Sequence, residues 1–261
     1  MIKLEIEKNI TSFLIWTIII VLLFVMVFGI YPSMMKNTEA ITELVNSMDK
    51  EFLEVFNMDI MGFESVFGWL ATEGHILLLL IGGMYFAILG ANILLKEEND
   101  GTIEFIYSKN ITRNRILISK ILVGIILAIL LNLIVLVFLI IGLAISDDLQ
   151  LKELILFIIS STIAHISIYL ISIAISTFMK RTNKSTMVAL ALVFSLYTLS
   201  IISGMSDDAE FLKYISPFYY MSARPIIETS SIPLDNILIV LGVDVIIYII
   251  TQVRYNKKEL V

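Results

Sequence analysis

Cysteine is absent from all 261 residues, which excludes disulfides, thiolate metal ligands and a cysteine nucleophile. That absence says little about compartment. Charge is scarce as well: 16% of residues are charged, where a soluble domain carries about a quarter. Nowhere does G-x-x-x-x-G-K-[ST] occur, so the chain has no P-loop with which to cradle nucleotide phosphates. No small-x-small cleavage site follows the first apolar run, which is also far longer than the core of a secretory signal. It reads as a retained, orienting helix.

What the chain has instead is oil. Hydrophobic residues make up 58% and the mean hydropathy is +0.94, the composition of an integral membrane protein. Six apolar segments are each close to the about 20 residues that cross a bilayer as helix: Ile10 to Tyr31, His75 to Leu95, Ile116 to Ile145, Leu154 to Met179, Thr186 to Gly204 and Leu234 to Val253. The third is long enough to tilt or to project beyond the hydrocarbon.

Charge distribution orients these crossings. With the N-terminus inside, 13 of the 18 Lys and Arg fall in segments 1–9, 96–120, 180–185 and 254–261, and 5 fall on the other side. Short cytoplasmic loops are enriched in Lys and Arg, so the expected topology is N-in/C-in. Of the 24 acids, 16 lie outside, 7 inside, and Asp244 alone lies within an apolar run. The net charge of −6 therefore hides a basic inner surface and an acidic outer one.

Two outer segments stand out. In 32–74, opened by Pro32 and closed by Gly74, Ile41, Leu44, Val45, Met48, Phe52, Val55 and Phe56 recur at spacings of three and four, the pattern of an amphipathic helix. Such a helix packs on the outer ends of its own bundle or lies in the interface where a hydrophobic cargo leaves. Trp69, further on, suits an interfacial anchor. Segment 205–233 is aromatic from Phe211 to Met221, too short to cross, and broken by Pro217 and Arg224-Pro225. It is read either as half-helices dipping into the outer leaflet, a re-entrant outer hairpin, or as an aromatic belt at headgroup level.

The most charged stretch is LLKEENDGTIEFIYSKNITRNRILISKIL, residues 94 to 122. Asn99-Asp100-Gly101 is a turn signal after the second crossing. Thr102 to Ser108 then makes two turns of a short amphipathic helix, with acids before it and bases after it, as its dipole favours. The order Glu98, two residues, Gly101-Thr102, one residue, Glu104, then Thr112-Arg113 and Lys120 resembles the motif that follows the second helix of ABC-2 type permeases, membrane subunits of a class of ABC exporters. That family often has Pro just before the Arg tripeptide, where this chain has Asn110. A short second inside loop at Lys180 to Lys184 and Ser216-Pro217-Phe218 in the outer hairpin are similar too, so the likeness covers the whole chain in architecture while about 25 residues carry it specifically.

The resemblance implies a single all-α transmembrane domain over 1–261: six helices, an N-terminal interfacial helix at 1–10, the extracellular insertion 32–74, a cytoplasmic coupling helix within 96–115 and the re-entrant segment 205–233. It implies a separate ABC ATPase subunit that binds ATP and Mg, so that this chain holds no cofactor and is not itself an enzyme. Residues implied to couple to it are Glu97, Glu98, Gly101, Thr102, Glu104, Arg113, Lys120, Lys180 and Arg181. It further implies a second permease copy or a homologous chain, contact with membrane lipid and none with nucleic acid, and residence in a bacterial plasma membrane. The oily outer segments and the lack of a large soluble domain favour a hydrophobic or amphipathic cargo, including antimicrobial or toxin-like peptides.

Inside the membrane, polar residues are few. A lone charge there costs at least about 2.5–3.5 kcal/mol, so Asp244 is neutral, paired or facing water. Asn132 and His165 are plausible companions for it, as interhelical glue or as part of a cargo path. Two other classes compete. An intramembrane enzyme using Glu97-Glu98 with His75 fails on distance, because 22 residues of helix separate His75 from Glu97 by about 33 Å, and one using His165 lacks a second His or paired carboxylate at helical spacing. A non-transporting anchor, immunity or sensor component that recruits an ATPase would need the same inner loop, and cargo movement alone distinguishes it.

Overall fold

The computed structural model describes residues 1–35, 65–101, 111–205 and 207–258. Every regular element among them is helical. In chain order these are α1 (Ile2–Met35), α2 (Val66–Trp69), a π-helical turn (Leu70–Gly74), α3 (His75–Ile93), α4 (Leu95–Asn99), α5 (Arg113–Ile145), α6 (Leu151–Phe178), α7 (Thr182–Met205), a 3-10 helix (Asp207–Ile215), α8 (Pro217–Tyr220), α9 (Arg224–Thr229) and α10 (Leu234–Lys257). Six helical stretches are long and apolar enough to cross a membrane, and they fall on the six apolar runs. The protein is an all-α, multi-pass membrane protein.

The helices outrun the apolar segments at several ends. Between Ile2 and Phe28 no glycine or proline interrupts the chain, so nothing stops the backbone, and Met1 to Ile10 is not a separate interfacial helix but the first turns of α1. Pro32 does not open the outer segment either, since α1 continues through it to Met35. At the other end of 32–74, Ser65 accepts a hydrogen bond from the Gly68 amide and starts the helical stretch nine residues before Gly74 closes it. Asp148, in the α5–α6 turn, accepts a second bond from the Phe67 amide at 2.7 Å and ties two crossings together at that end. The amphipathic helix expected from Ile41 to Phe56 lies outside the described residues.

At the centre stands α6, packed on α3, α5, α7 and α10. Its approach to α3 is close because α3 lines its contact face with small residues: a Cβ on Gly82 would overlap the His165 ring, and one on Gly90 would sit 2.6 Å from the Tyr169 carbonyl oxygen. Phe86, Ala87, Leu127, Leu131, Val135, Tyr169 and Ile173 are fully enclosed around this axis.

The periphery is different. Leu238, Leu241, Val245, Ile249 and Val253 of α10 are about half exposed, as befits a helix facing an apolar solvent. Polar contacts fasten α10 at intervals: Asn236 donates to the Tyr220 carbonyl (3.1 Å), Asp244 accepts from Ser167 (2.8 Å), Gln252 donates to Asn114 (3.1 Å), and Arg113 donates to the Tyr255 carbonyl (3.3 Å).

Segment 205–233 forms the 3-10 helix and the short α8 and α9, resting against α6, α7 and α10. Its backbone is partly satisfied by the bundle, since Ser160 donates to the Met221 carbonyl at 2.6 Å. Trp69 is not an interfacial anchor. It is buried, and its indole nitrogen donates to the Val27 carbonyl at 3.0 Å, so it clamps the second crossing to α1.

Candidate functional site

The chain concentrates ionic contacts at the end of the bundle that carries both termini. Leu95–Asn99 directs Glu97 inward, where it is 4% exposed, and Glu5 from α1 meets it there at 6%. Between them lies the Lys120 ammonium, 3.0 Å from Glu97 and 3.5 Å from Glu5. Lys8, one helical turn after Glu5, closes the group from the rim at 3.7 Å from Glu97 and 3.9 Å from Glu5. Two carboxylates and two ammoniums make the group formally neutral, as burial demands.

Lys120 is anchored further. Its Nζ donates to the carbonyl of Ile93 at 2.6 Å, at the end of α3, where a helix leaves carbonyls without an intrahelical donor. The Tyr169 hydroxyl donates to the Lys120 carbonyl at 2.7 Å. One lysine thereby links α1, α3, α4, α5 and α6.

A second knot joins the same segment to the C-terminus. Lys258 donates to both oxygens of Glu98, at 2.8 and 3.1 Å. Arg113 spreads one Nη over the carbonyls of Tyr255, Asn256 and Lys258, at 3.3, 3.0 and 2.7 Å. Those carbonyls end α10, so the guanidinium sits on the negative end of that helix dipole. Gly101 follows the last turn of α4 with φ of +67°, a left-handed conformation that costs other residues energy. Thr112 caps α5 by accepting from the Arg115 amide. Segment 102–110, including Thr102 and Glu104, lies outside the described residues, and both of its roots are held.

Lys180 and Arg181 lie exposed in the α6–α7 turn. Arg254 stacks over the Phe178 ring at 5.0 Å, which brings that turn to the same end as the close of α10. Lys96, Arg115, Lys184 and Lys257 are also exposed there.

Midway along the bundle, the polar residues fall into two groups rather than one. Asn132 and His165 meet at 3.0 Å through Nδ2 and Nδ1, and His165 Nε2 faces the Leu78 carbonyl oxygen at 3.0 Å. A carbonyl only accepts, so Nε2 carries the hydrogen and Nδ1 accepts from Asn132. Asp244 does not join them. Its Oδ2 accepts from Ser167 at 2.8 Å, the shorter of the two contacts Ser167 makes with acceptors, the other being Ile163 O at 3.1 Å. Residues two apart on a helix point to different faces, so His165 and Ser167 of α6 serve different neighbours. Among the described residues, no group of three or more His, Asp or Glu converges as metal hydrolysis would need.

Sequence reasoning singled out Glu97, Glu98, Arg113 and Lys120 but missed their partners Glu5, Lys258 and the Tyr169 hydroxyl, and missed Ser167. The signal for Glu5 was present: an acid with Lys8 three residues on, at the head of an otherwise apolar helix.

A family model described as ABC-2 family transporter protein matches residues 1–260. No curated protein and no solved structure matches the chain.

Proposed function

The chain belongs to the ABC-2 family of transporter proteins, as a permease component, and from that premise we propose that it forms the membrane pathway for ATP-driven export of a hydrophobic or amphipathic substrate, powered by a separate ABC ATPase subunit. The observation that carries this reading is the double rooting of segment 102–110. On one side Glu97 and Glu98 tie its start to α1, α5 and Lys258, which caps the end of α10; on the other, Arg113 ties its end to the last turn of α10. A push on the segment reaches four crossings at once, through the buried contacts of Lys120 and the part-buried contacts of Arg113 and Lys258. An element free at its roots would absorb the same push.

The ATPase docks on that end, against 102–110, the exposed Lys180 and Arg181 and the first turn of α1. Thirteen of the 18 basic residues lie there by sequence, which supports an N-in/C-in orientation in a bacterial plasma membrane. ATP-driven approach of two ATPases then moves two permease bundles between two arrangements. The second bundle is another copy of this chain or a homologue. Cargo of amphipathic character, such as an antimicrobial or toxin-like peptide, suits a bundle whose outer segment is aromatic from Phe211 to Tyr220.

The test is charge reversal in proteoliposomes containing the permease and its ATPase. Glu98→Lys should lower substrate-stimulated ATP hydrolysis about tenfold, roughly 1.4 kcal/mol of lost coupling, with insertion intact, and Glu98→Lys/Lys258→Glu should restore it. Unchanged coupling in the single variant, or external labelling of segment 96–115 on whole cells, refutes the reading. ATP hydrolysis that responds to the permease without any cargo movement would instead establish a recruiting anchor.

A further inference from the structure

Away from the ionic knots, a partly open cleft with a cavity volume of about 50 Å³ lies between α6, α10 and segment 207–220. Ser167 and Asp244 are its polar wall, Tyr220 and Val240 are buried beside them, and Tyr214 and Val243 stand half exposed at its edge. That volume admits a head group of ammonium size, with the rest of a ligand left to lie along the open apolar edge.

Asp244 is the unusual wall. It is 6% exposed, and its Oδ2 is satisfied by Ser167, whereas Oδ1 is buried with no hydrogen-bond partner. Among the described residues, no Lys, Arg or His forms an ion pair with it. Asp244 lies ten residues into a 24-residue helix, so about 15 Å separates it from the Leu234 end. A carboxylate at such depth is costly unless something completes it. The Tyr220 ring on the same cleft adds a preference for positive charge, because ring faces attract cations, while the Tyr214 ring at its edge already carries the Lys213 ammonium 5.2 Å from its centroid.

We propose that this cleft binds the ammonium group of an amphipathic amine, with Asp244 as its counter-ion, the ring of Tyr220 as a cation-attracting wall, and the apolar body of the ligand along Ile239 and Val243. The amine's N–H donates to Oδ1, the atom left without a donor by the protein. As the binding site of an exported molecule, it rests on the permease reading and narrows the cargo to cationic amphiphiles. As an amine site it stands without that reading.

The purified chain in phosphatidylcholine nanodiscs is titrated with dodecylamine and with dodecanol, its neutral counterpart. The amine should bind at least about tenfold more tightly, the scale of one charge-assisted hydrogen bond. Asp244→Asn keeps the shape and an acceptor for Ser167, and should abolish the difference while leaving dodecanol binding as it was. Ser167→Ala, which keeps the carboxylate, should retain the amine preference. Equal affinities in the unmodified chain, or an amine preference that survives in a folded Asp244→Asn, overturns the proposal; the first criterion needs no variant to fold. Doping the nanodiscs with phosphatidylethanolamine separates two sources of the group: competition with dodecylamine identifies a lipid headgroup, and its absence a free amphiphile. No ATPase is present, so a negative result leaves the coupling proposal standing, and failure of coupling leaves the cleft unaffected.

Discussion

Replacing Lys120 by Met removes the ammonium at the centre of the terminal knot and preserves most of its volume. The Lys120 side chain is 1% exposed, and the carboxylates it serves, those of Glu97 and Glu5, are buried with it. Without it, two buried carboxylates share Lys8, which lies farther off at 3.7 and 3.9 Å and has a side chain 53% exposed. Breaking a buried pair by deleting one partner costs about 3–5 kcal/mol, chiefly because the remaining charge is stranded. Lys8→Met, which removes a solvated partner, should cost no more than about 1 kcal/mol. Adding Glu97→Gln to Lys120→Met leaves a single carboxylate near Lys8, so the double variant should be more stable than Lys120→Met alone by at least about 1 kcal/mol, the sign of coupled neighbours. The assay is SDS titration in mixed micelles followed by circular dichroism. If Lys120→Met and Lys8→Met lose stability to the same extent, or if Glu97→Gln deepens the loss, the knot is not what holds this end together.

Two further outcomes follow from the packing. Gly82→Ala should cost about 1–3 kcal/mol, because its Cβ would occupy the place of the His165 ring, whereas Gly242→Ala, with nothing within 4 Å, should be close to neutral in the same titration. Trp69→Phe should cost about 1 kcal/mol by removing the indole's hydrogen bond across to the Val27 carbonyl of α1, and whole-cell labelling at position 69 should remain slow because the site is enclosed.

The crossings were legible because run length in apolar residues is a direct consequence of bilayer thickness, and all six helices fall where the runs do. Helix ends were less so. An apolar run stops where hydrocarbon stops, but a helix stops where capping groups stand, and Ser65 and Thr112 set those limits from within polar sequence. Lateral pairing was not legible at all. The Ser167 to Asp244 bond joins residues 77 apart, and nothing in either neighbourhood reveals which face of α6 meets α10. Trp69 shows the same limit: an amphipathic ring near a membrane edge suits the interface by composition, yet its neighbour in space is α1. Of the coupling loop, charge order marked Glu97, Glu98, Arg113 and Lys120, and their partners came from elements far along the chain.

The sparse polar attachment of α10 has an implication for how this chain tolerates change. Lipid tails substitute freely for one another, so the outward stripe through Leu238, Leu241, Val245 and Ile249 asks only for greasiness and accepts almost any aliphatic identity. Asn236, Asp244 and Gln252, with Arg113 reaching over from α5, are the bolts, and hydrocarbon offers no substitute for a missing one. Drift along the stripe is therefore silent, and a single loss among the bolts unfastens the helix at a defined height.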